Sequence, residues 1–460
     1  MKKKGIITIA SIVLLLIGWQ MIALWVNQPE WMPSLPRLIT TLIELLTHSS
    51  FYLSVGFTLL RGLCGIFLSL VTATCLAVLF ARFAWLHELF RPLLSLMRSV
   101  PVISFILLAV LFLHPESIPL LIGFLTMFPL LTENLTKGVR ALRPELYIFS
   151  QQFRLGRRNK ITQIIYPQLK PFLYSGLASA AGFGWRAIIM GEVLSQGSWG
   201  IGSEMKKAQT FIAVPELLAW TAVAILISYL TDKGIHALAT QKIPITYASK
   251  NKEKMPPNGY LGLPIQLTDV SYRYGVSHFS YSFQAGKVYG LSAPSGTGKT
   301  TLINLINGTL IPTEGKIKIN RRKGIASLFQ EPVLLSHLTV EENIMLPLSR
   351  LFTREKAYSY IQSLIKEVEI EELTGRYPDE LSYGQQQRVA LIRALAYPSP
   401  FLFMDEPFKG LDSDLGKRII ECVKRRQATQ KQTILFSSHQ IEELMLLAEE
   451  VVYLKTPCHL

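Results

Sequence analysis

The stretch Leu291–Thr301, LSAPSGTGKTT, decides how the second half of this chain folds. Before it, KVYGLSA reads as a buried, apolar strand; after it, LINLINGTL has helical spacing and stops near Gly308. Strand, glycine-rich loop and helix in that order make a phosphate cradle, the P-loop arrangement. Gly296 and Gly298 let backbone N–H groups close on phosphate oxygens, and the helix N-terminus adds the positive end of its dipole. Lys299 then reaches the β- and γ-phosphates of a nucleotide, and Thr300 offers a hydroxyl to Mg²⁺. Ala293, Pro294, Ser295, Thr297 and Thr301 complete the loop, with Ala293 where the G-x-x-x-x-G-K-[ST] pattern has its first glycine. A glycine-rich turn that binds nothing is the weaker reading, because Lys-Thr-Thr follows at the required spacing.

A cradle alone leaves kinases, GTPases and ATPases open. The run FLFMDE, Phe401 to Glu406, is an apolar strand ending in two carboxylates. Asp405 suits an Mg²⁺ held through water, and Glu406 suits the polarising of an attacking water. An acidic pair also serves as a helix cap, but the long apolar run before it favours a strand end. Just upstream, LSYGQQQRVALIRAL places Ser382 and Gly384 at the opening of a helix, where N–H groups can face a phosphate.

The first half has another solvent. The 460 residues are 49% hydrophobic with a mean hydropathy of +0.30, and the long, charge-poor segments all lie between Gly5 and about Ala237. A bilayer core takes roughly 20 apolar residues per helix. Six spans are expected, near residues 5–26, 59–80, 100–113, 118–135, 172–194 and 217–238, the third short and broken by Pro101. The first is read as a retained span and not a signal peptide. Basic residues gather in alternate loops: Lys2 to Lys4, Arg82 to Arg98, and Lys137 to Lys170. The positive-inside rule then sets both termini and the ATPase half in the cytoplasm.

A formal charge of +15 suits either nucleic acid or cytoplasmic loops; no nucleic-acid motif is present, so lipid is the expected contact. Cys64, Cys75, Cys422 and Cys458 show no metal or disulfide spacing. Glu133, Arg186 and Glu192 fall within spans, Glu133 and Arg186 either as a pair or at wetted span ends. The expected architecture is an all-α polytopic membrane domain over 1–242, a linker rich in Pro, Gly and Lys over 243–263, and an α/β nucleotide-binding domain with a helical subdomain over 264–460.

LSYGQ resembles the LSGGQ signature of ATP-binding-cassette ATPases, and its companions stand in that family's order over roughly the last 195 residues. Tyr274 resembles the aromatic residue that stacks on adenine, Gln330 the Q-loop glutamine that also meets Mg²⁺, Gly410 to Asp412 the D-loop, and His439 the switch histidine, catalytic along with Glu406. The resemblance implies ATP and Mg²⁺ as ligands and a homodimer of cassettes, with Ser382, Tyr383, Gly384 and Gln385 of one chain reaching the γ-phosphate held by the other. Tyr383 replaces a signature glycine. The end at VVYLKTPCHL carries the expectation of no accessory C-terminal regulation.

Between spans four and five, RPELYIFSQQFRLGRRNKITQIIYPQLKP resembles the coupling loop of binding-protein-dependent importer permeases, with Gly156 at the turn and Pro167 and Pro171 closing it. Ser150, Gln151 and Gln152 replace that family's Glu-Ala-Ala. A basic amphipathic loop on lipid is the alternative. MPSLPRLI, RSVPVISFILLAVLF and GEVLSQGSWGIGSEM are similar to permeases for nitrate, sulfonate, taurine and related nutrients. The resemblance implies ATP-driven import of a small solute delivered by a separate extracytoplasmic binding protein. A half-size exporter and a non-transport membrane ATPase are the rivals.

Overall fold

The computed structural model describes residues 2–28, 30–249, 261–273, 275–294 and 296–454. Tyr274, Ser295 and Cys458, named above, lie outside the described residues, as does the middle of the expected linker. The chain divides into two compact units, one of residues 1–142 and 168–242 and the other of residues 143–167 and 243–460.

The first unit is helical: α1 (Lys2–Val26), α2 (Leu35–Thr47), α3 (Ser49–Arg82), α4 (Ala84–Ser99), α5 (Val102–Phe112), α6 (Ile118–Arg140), then α9 (Tyr166–Ser195), α10 (Ile201–Thr210) and α11 (Val214–Thr240). Among the described residues four helices are long and apolar enough to cross a bilayer, or up to five if the pair α4 and α5, bent by 94° at the break before Pro101, is one span. The apolar part of α1 described, Ala10–Val26, is shorter.

Helices α3, α6 and α9 pack through small residues. The buried face of α3 carries Ser54, Thr58, Gly62, Gly65, Ser69, Ala73 and Ala77, a repeat of three and four that lays one stripe along a helix. Such stripes let membrane helices approach where the hydrophobic effect gives no drive. The ring of Trp185 on α9 fills the space where a Cβ at Gly62 would stand, and Gly65 faces Met127 of α6.

A polar clamp crosses this packing. Arg61, on α3, donates from Nη1 to Glu192 Oε1 and to the Trp199 carbonyl, both at 2.8 Å, and from Nη2 to Glu116. Glu192 is 0% exposed and also accepts from Thr58 Oγ1 at 2.9 Å and from Gly202 N at 2.9 Å. Glu116, in the turn before α6, accepts from Ser198 N at 2.6 Å, so segment 198–202 is tied to α3, to α9 and to that turn. Burial of an ion pair is tolerable only with its remaining lone pairs satisfied, as here. Of the two alternatives for Glu133 and Arg186 the pair is not formed: Glu133 pairs with Arg98 and with Lys137 one turn on, and Arg186 is exposed.

In the second unit the fold is α/β. It comprises α7 (Pro144–Gln152), α8 (Arg157–Asn159), the strands β1 (Ile265–Tyr272), β2 (Val276–Phe283), β3 (Val288–Ser292), β4 (Glu314–Lys318), β5 (Ala326–Leu328), β6 (Phe401–Asp405), β7 (Thr433–Ser437) and β8 (Glu450–Tyr453), and the helices α12 (Lys299–Asn307), α13 (Val340–Met345), α14 (Arg354–Glu367), α15 (Tyr383–Ala396), α16 (Ser413–Gln430) and α17 (Ile441–Leu447). A three-stranded antiparallel sheet runs β2-β1-β4 and a five-stranded parallel sheet β5-β6-β7-β3-β8. Strands β6 and β7 are buried at every residue, as unbroken apolar runs in parallel sheets require. Within the stretch expected to be linker, Ile245 and Tyr247 pack on the same core as the sheet, and Ala248 N donates to Ser349 O at 2.7 Å.

Candidate nucleotide site and the coupling loop

Parallel strands bring their C-terminal ends to one edge, where open α/β sheets bind ligands. The register sets Leu328 beside Met404, Asp405 beside Ser437, and Ser437 beside Leu291. Gln330 after β5, Asp405 and Glu406 closing β6, His439 after β7 and the loop after β3 therefore share that edge.

The phosphate loop uses glycine where only glycine fits. Gly296 and Gly298 have φ of 79° and 95°, in the left-handed region. A Cβ on Gly298 would also run into the backbone of Gly275, at the turn between β1 and β2. Lys299, 7% exposed, spans the loop with Nζ donating to Ala293 O at 2.6 Å and Pro294 O at 3.3 Å. Thr297 Oγ1 donates to Pro294 O at 2.6 Å. Ala293 is accommodated, partly buried against the sheet core. Helix α12 opens at Lys299 and ends at Gly308, φ 86°.

At the end of β6 the two carboxylates are tied to one hydroxyl: Ser437 Oγ donates to Asp405 Oδ1 at 2.5 Å and accepts from Glu406 N at 3.1 Å. Glu406 has φ of 50°, a strained value for a side-chain-bearing residue, of the kind that gathers at functional sites. Its carboxylate meets His439 Nε2 at 2.7 Å on one oxygen and Lys409 Nζ at 3.3 Å on the other. That carboxylate holds the Lys409 ammonium above the ordinary lysine value. Glu406 and His439, each read from sequence as catalytic, thus touch. Lys409 and Ser437 were not singled out; the only signal was a basic residue three positions after the acid and a hydroxyl two before the histidine.

Ser382 caps α15: its hydroxyl accepts from Gln385 N while Gln385 Oε1 accepts from Ser382 N at 2.9 Å. Tyr383 donates from its hydroxyl to Gln330 O at 3.2 Å, and Gly384 lies against Gly410, so signature, Q-loop and D-loop meet within one chain. Asp412 caps α16 by accepting from Leu415 N at 2.8 Å. Thr300, in the first turn of α12, and Asp405, ending β6, stand at the same edge, and a hydroxyl and a carboxylate are oxygen donors that would suit Mg²⁺ beside a phosphate.

Residues 276–409 match the family described as ABC transporter, and residues 65–232 that described as binding-protein-dependent transport system inner membrane component. The thiamine import ATP-binding protein ThiQ of Shigella flexneri serotype 5b is 37% identical over 200 residues, which are 41% of this chain and 86% of that one. The chain belongs to the ATP-binding-cassette transporters. ThiQ of Escherichia coli K12 is 36% identical over the same share of each chain. A solved dimeric ATP-binding cassette in a post-hydrolysis state bound to ADP and Pi is 30% identical, with a TM-score of 0.40, over 42% of this chain and 94% of its own. The transporter fuses an importer-type, binding-protein-dependent permease to an ATPase that hydrolyses ATP to drive it, in a multi-pass inner-membrane chain.

The transporter's loop between α6 and α9 folds with the ATPase unit. Leu146, Phe149, Phe153, Leu155 and Ile164 belong to the same apolar core as β5, β6 and α15. Ile325 N, just before β5, donates to Gln152 O at 3.0 Å. Asn159 joins Thr246 O and Ser349 Oγ at 2.8 Å, and Gln163 meets His337 at 3.2 Å. Phe149 and Phe153 are thus buried in that core, while Tyr147 stays exposed.

Gly156 stands in the break between the two short helices α7 and α8, where the sequence reading has it. Gly156 caps α8 at φ −59°, and Arg154 takes the left-handed position of the turn at φ 49°. Pro167 is the last residue of the segment that folds with the ATPase unit, but neither it nor Pro171 breaks the helix, which runs from Arg157 to Ser195 with a π-helical stretch over Lys160–Ile165 just before Pro167. A widened turn removes the clash and the missing N–H bond that a proline brings to a regular helix.

Proposed function

We propose that this chain works as a homodimer importing a small, water-soluble nutrient handed over by a separate extracytoplasmic binding protein. The permease match on the same chain as the cassette, joined by a loop buried in the ATPase core, carries the reading. Lys299 and the loop N–H groups bind the phosphates of ATP, with Tyr274 under the adenine. Glu406, oriented by His439 and Ser437, takes a proton from the attacking water. Thr300, Gln330 and Asp405 would hold Mg²⁺, which neutralises phosphate charge. Ser382 to Gln385 of the second copy complete the site, and the loop around Gly156 carries closure to the spans. Six spans, with α1 and the bent pair α4 and α5 each crossing once, return both termini to the cytoplasm.

For the solute, the permease stretches support the nitrate, sulfonate and taurine class. The ThiQ likeness supports a second reading, a thiamine-like heterocycle. Solute choice belongs to the permease and binding protein, so the first is preferred. The test is to purify a tagged Glu406→Gln chain gently from its own host, with and without ATP, and identify what accompanies it by mass spectrometry. A solute-binding protein is expected, whose ligand then names the solute. Reproducible recovery of the homodimer alone would favour the half-exporter.

A further inference from the structure

Helix α15 begins at the signature and carries Arg393 in its last turn. At 1.5 Å per residue its 14 residues span roughly 20 Å. Arg393 is 1% exposed, the largest of the fully buried side chains. Its guanidinium carbon lies 4.4 Å from the ring centre of Phe149 and 5.8 Å from that of Phe153, both in the loop between α6 and α9. The two rings are 4.8 Å apart, and Phe153 also meets Tyr397, the residue after α15, edge-on at 5.1 Å. Arg393 Nε and Nη1 are buried without a hydrogen-bond partner.

A buried cation with orphaned donors is costly, and an apolar residue of similar volume is often as stable or more so. What faces this charge is aromatic, and cation–π attraction strengthens in a dry setting. Burial lowers the guanidinium to about 9, which leaves it charged at neutral pH. A charge over a ring face is directional; an apolar contact permits sliding.

We infer that Arg393 is a positioning residue for coupling: its stacking on Phe149 and Phe153 makes α15 a lever between the signature at one end and the permease loop at the other. This rests on the cassette and coupling reading above and is independent of the direction of transport.

The test uses the full Glu406→Gln chain in lipid nanodiscs, with hydrogen exchange read by mass spectrometry on adding ATP and Mg²⁺. In this parent, exchange in residues 143–167 and in the adjoining ends of α6 and α9 is expected to change. Arg393→Met should keep its thermal midpoint and bind ATP within about twofold, as distant sites act independently, yet lose that response. Arg393→Lys should retain it. A parent-sized response in Arg393→Met overturns the inference. If Arg393→Met fails to fold, Phe149→Leu is expected to lose the response and Phe149→Tyr to keep it; an undiminished response in Phe149→Leu overturns the inference equally. A parent that binds ATP without any response in the loop overturns the coupling reading and this inference with it, a parent-sized response in Arg393→Met overturns the inference alone, and a parent that binds no ATP overturns the cassette reading beneath both.

Discussion

Ser437 does for Asp405 and Glu406 what neither does alone. One hydroxyl donates to the first carboxylate and accepts from the backbone of the second, so both acids are set by the alignment of β7 with β6. Removing a hydrogen bond to a charged group costs about 1.5–3 kcal/mol. Ser437→Ala is therefore expected to slow ATP hydrolysis about tenfold to a hundredfold, with nucleotide binding kept and Ser437→Thr near the parent; an unchanged rate in the alanine variant would refute the bridging role. Motif order made Glu406 and His439 each legible from sequence because each residue type has its own place in the series, while their contact came from the fold. Ser437 and Lys409 were not legible, since their roles arise from register and from a turn, which no local pattern displays. Tyr383 is intermediate: its departure from glycine was plain, but not that its hydroxyl reaches the Q-loop backbone.

At the scale of elements, apolar runs marked the membrane helices, and strand, loop and helix were placed correctly around Lys299. What the runs could not convey was length and continuity. Helix α3 reaches back to Ser49, and the span after the loop begins at Arg157, because side-chain packing and a π-helical stretch extend helices beyond their apolar centres. The small-residue stripe gives a sharp test. Gly62→Leu must displace the Trp185 ring, while a Cβ at Gly56, on the same helix, meets nothing within 4 Å. Overpacking costs about 1–3 kcal/mol, so Gly62→Leu should lower the thermal midpoint in detergent and Gly56→Leu should not; equal midpoints would contradict the packing of α3 on α9.

Across the whole molecule, fusion puts the permease and the ATPase on one chain, and the proposed route between them is one segment. The loop between α6 and α9 belongs by sequence to the permease and by packing to the ATPase, and its Phe149 and Phe153 sit in the same core as the signature helix. The loop's place in the chain was legible as a resemblance; its burial was not, because amphipathic sequence serves a lipid surface equally well. Direction of transport is the central claim. The most direct measurement reconstitutes the chain in vesicles with ATP inside beside the cassettes and the purified binding protein with its radiolabelled solute outside. Accumulation inside that needs both ATP and the binding protein, and that Glu406→Gln abolishes, is the predicted result; ATP-dependent loss of preloaded solute, or uptake indifferent to the binding protein, would contradict it.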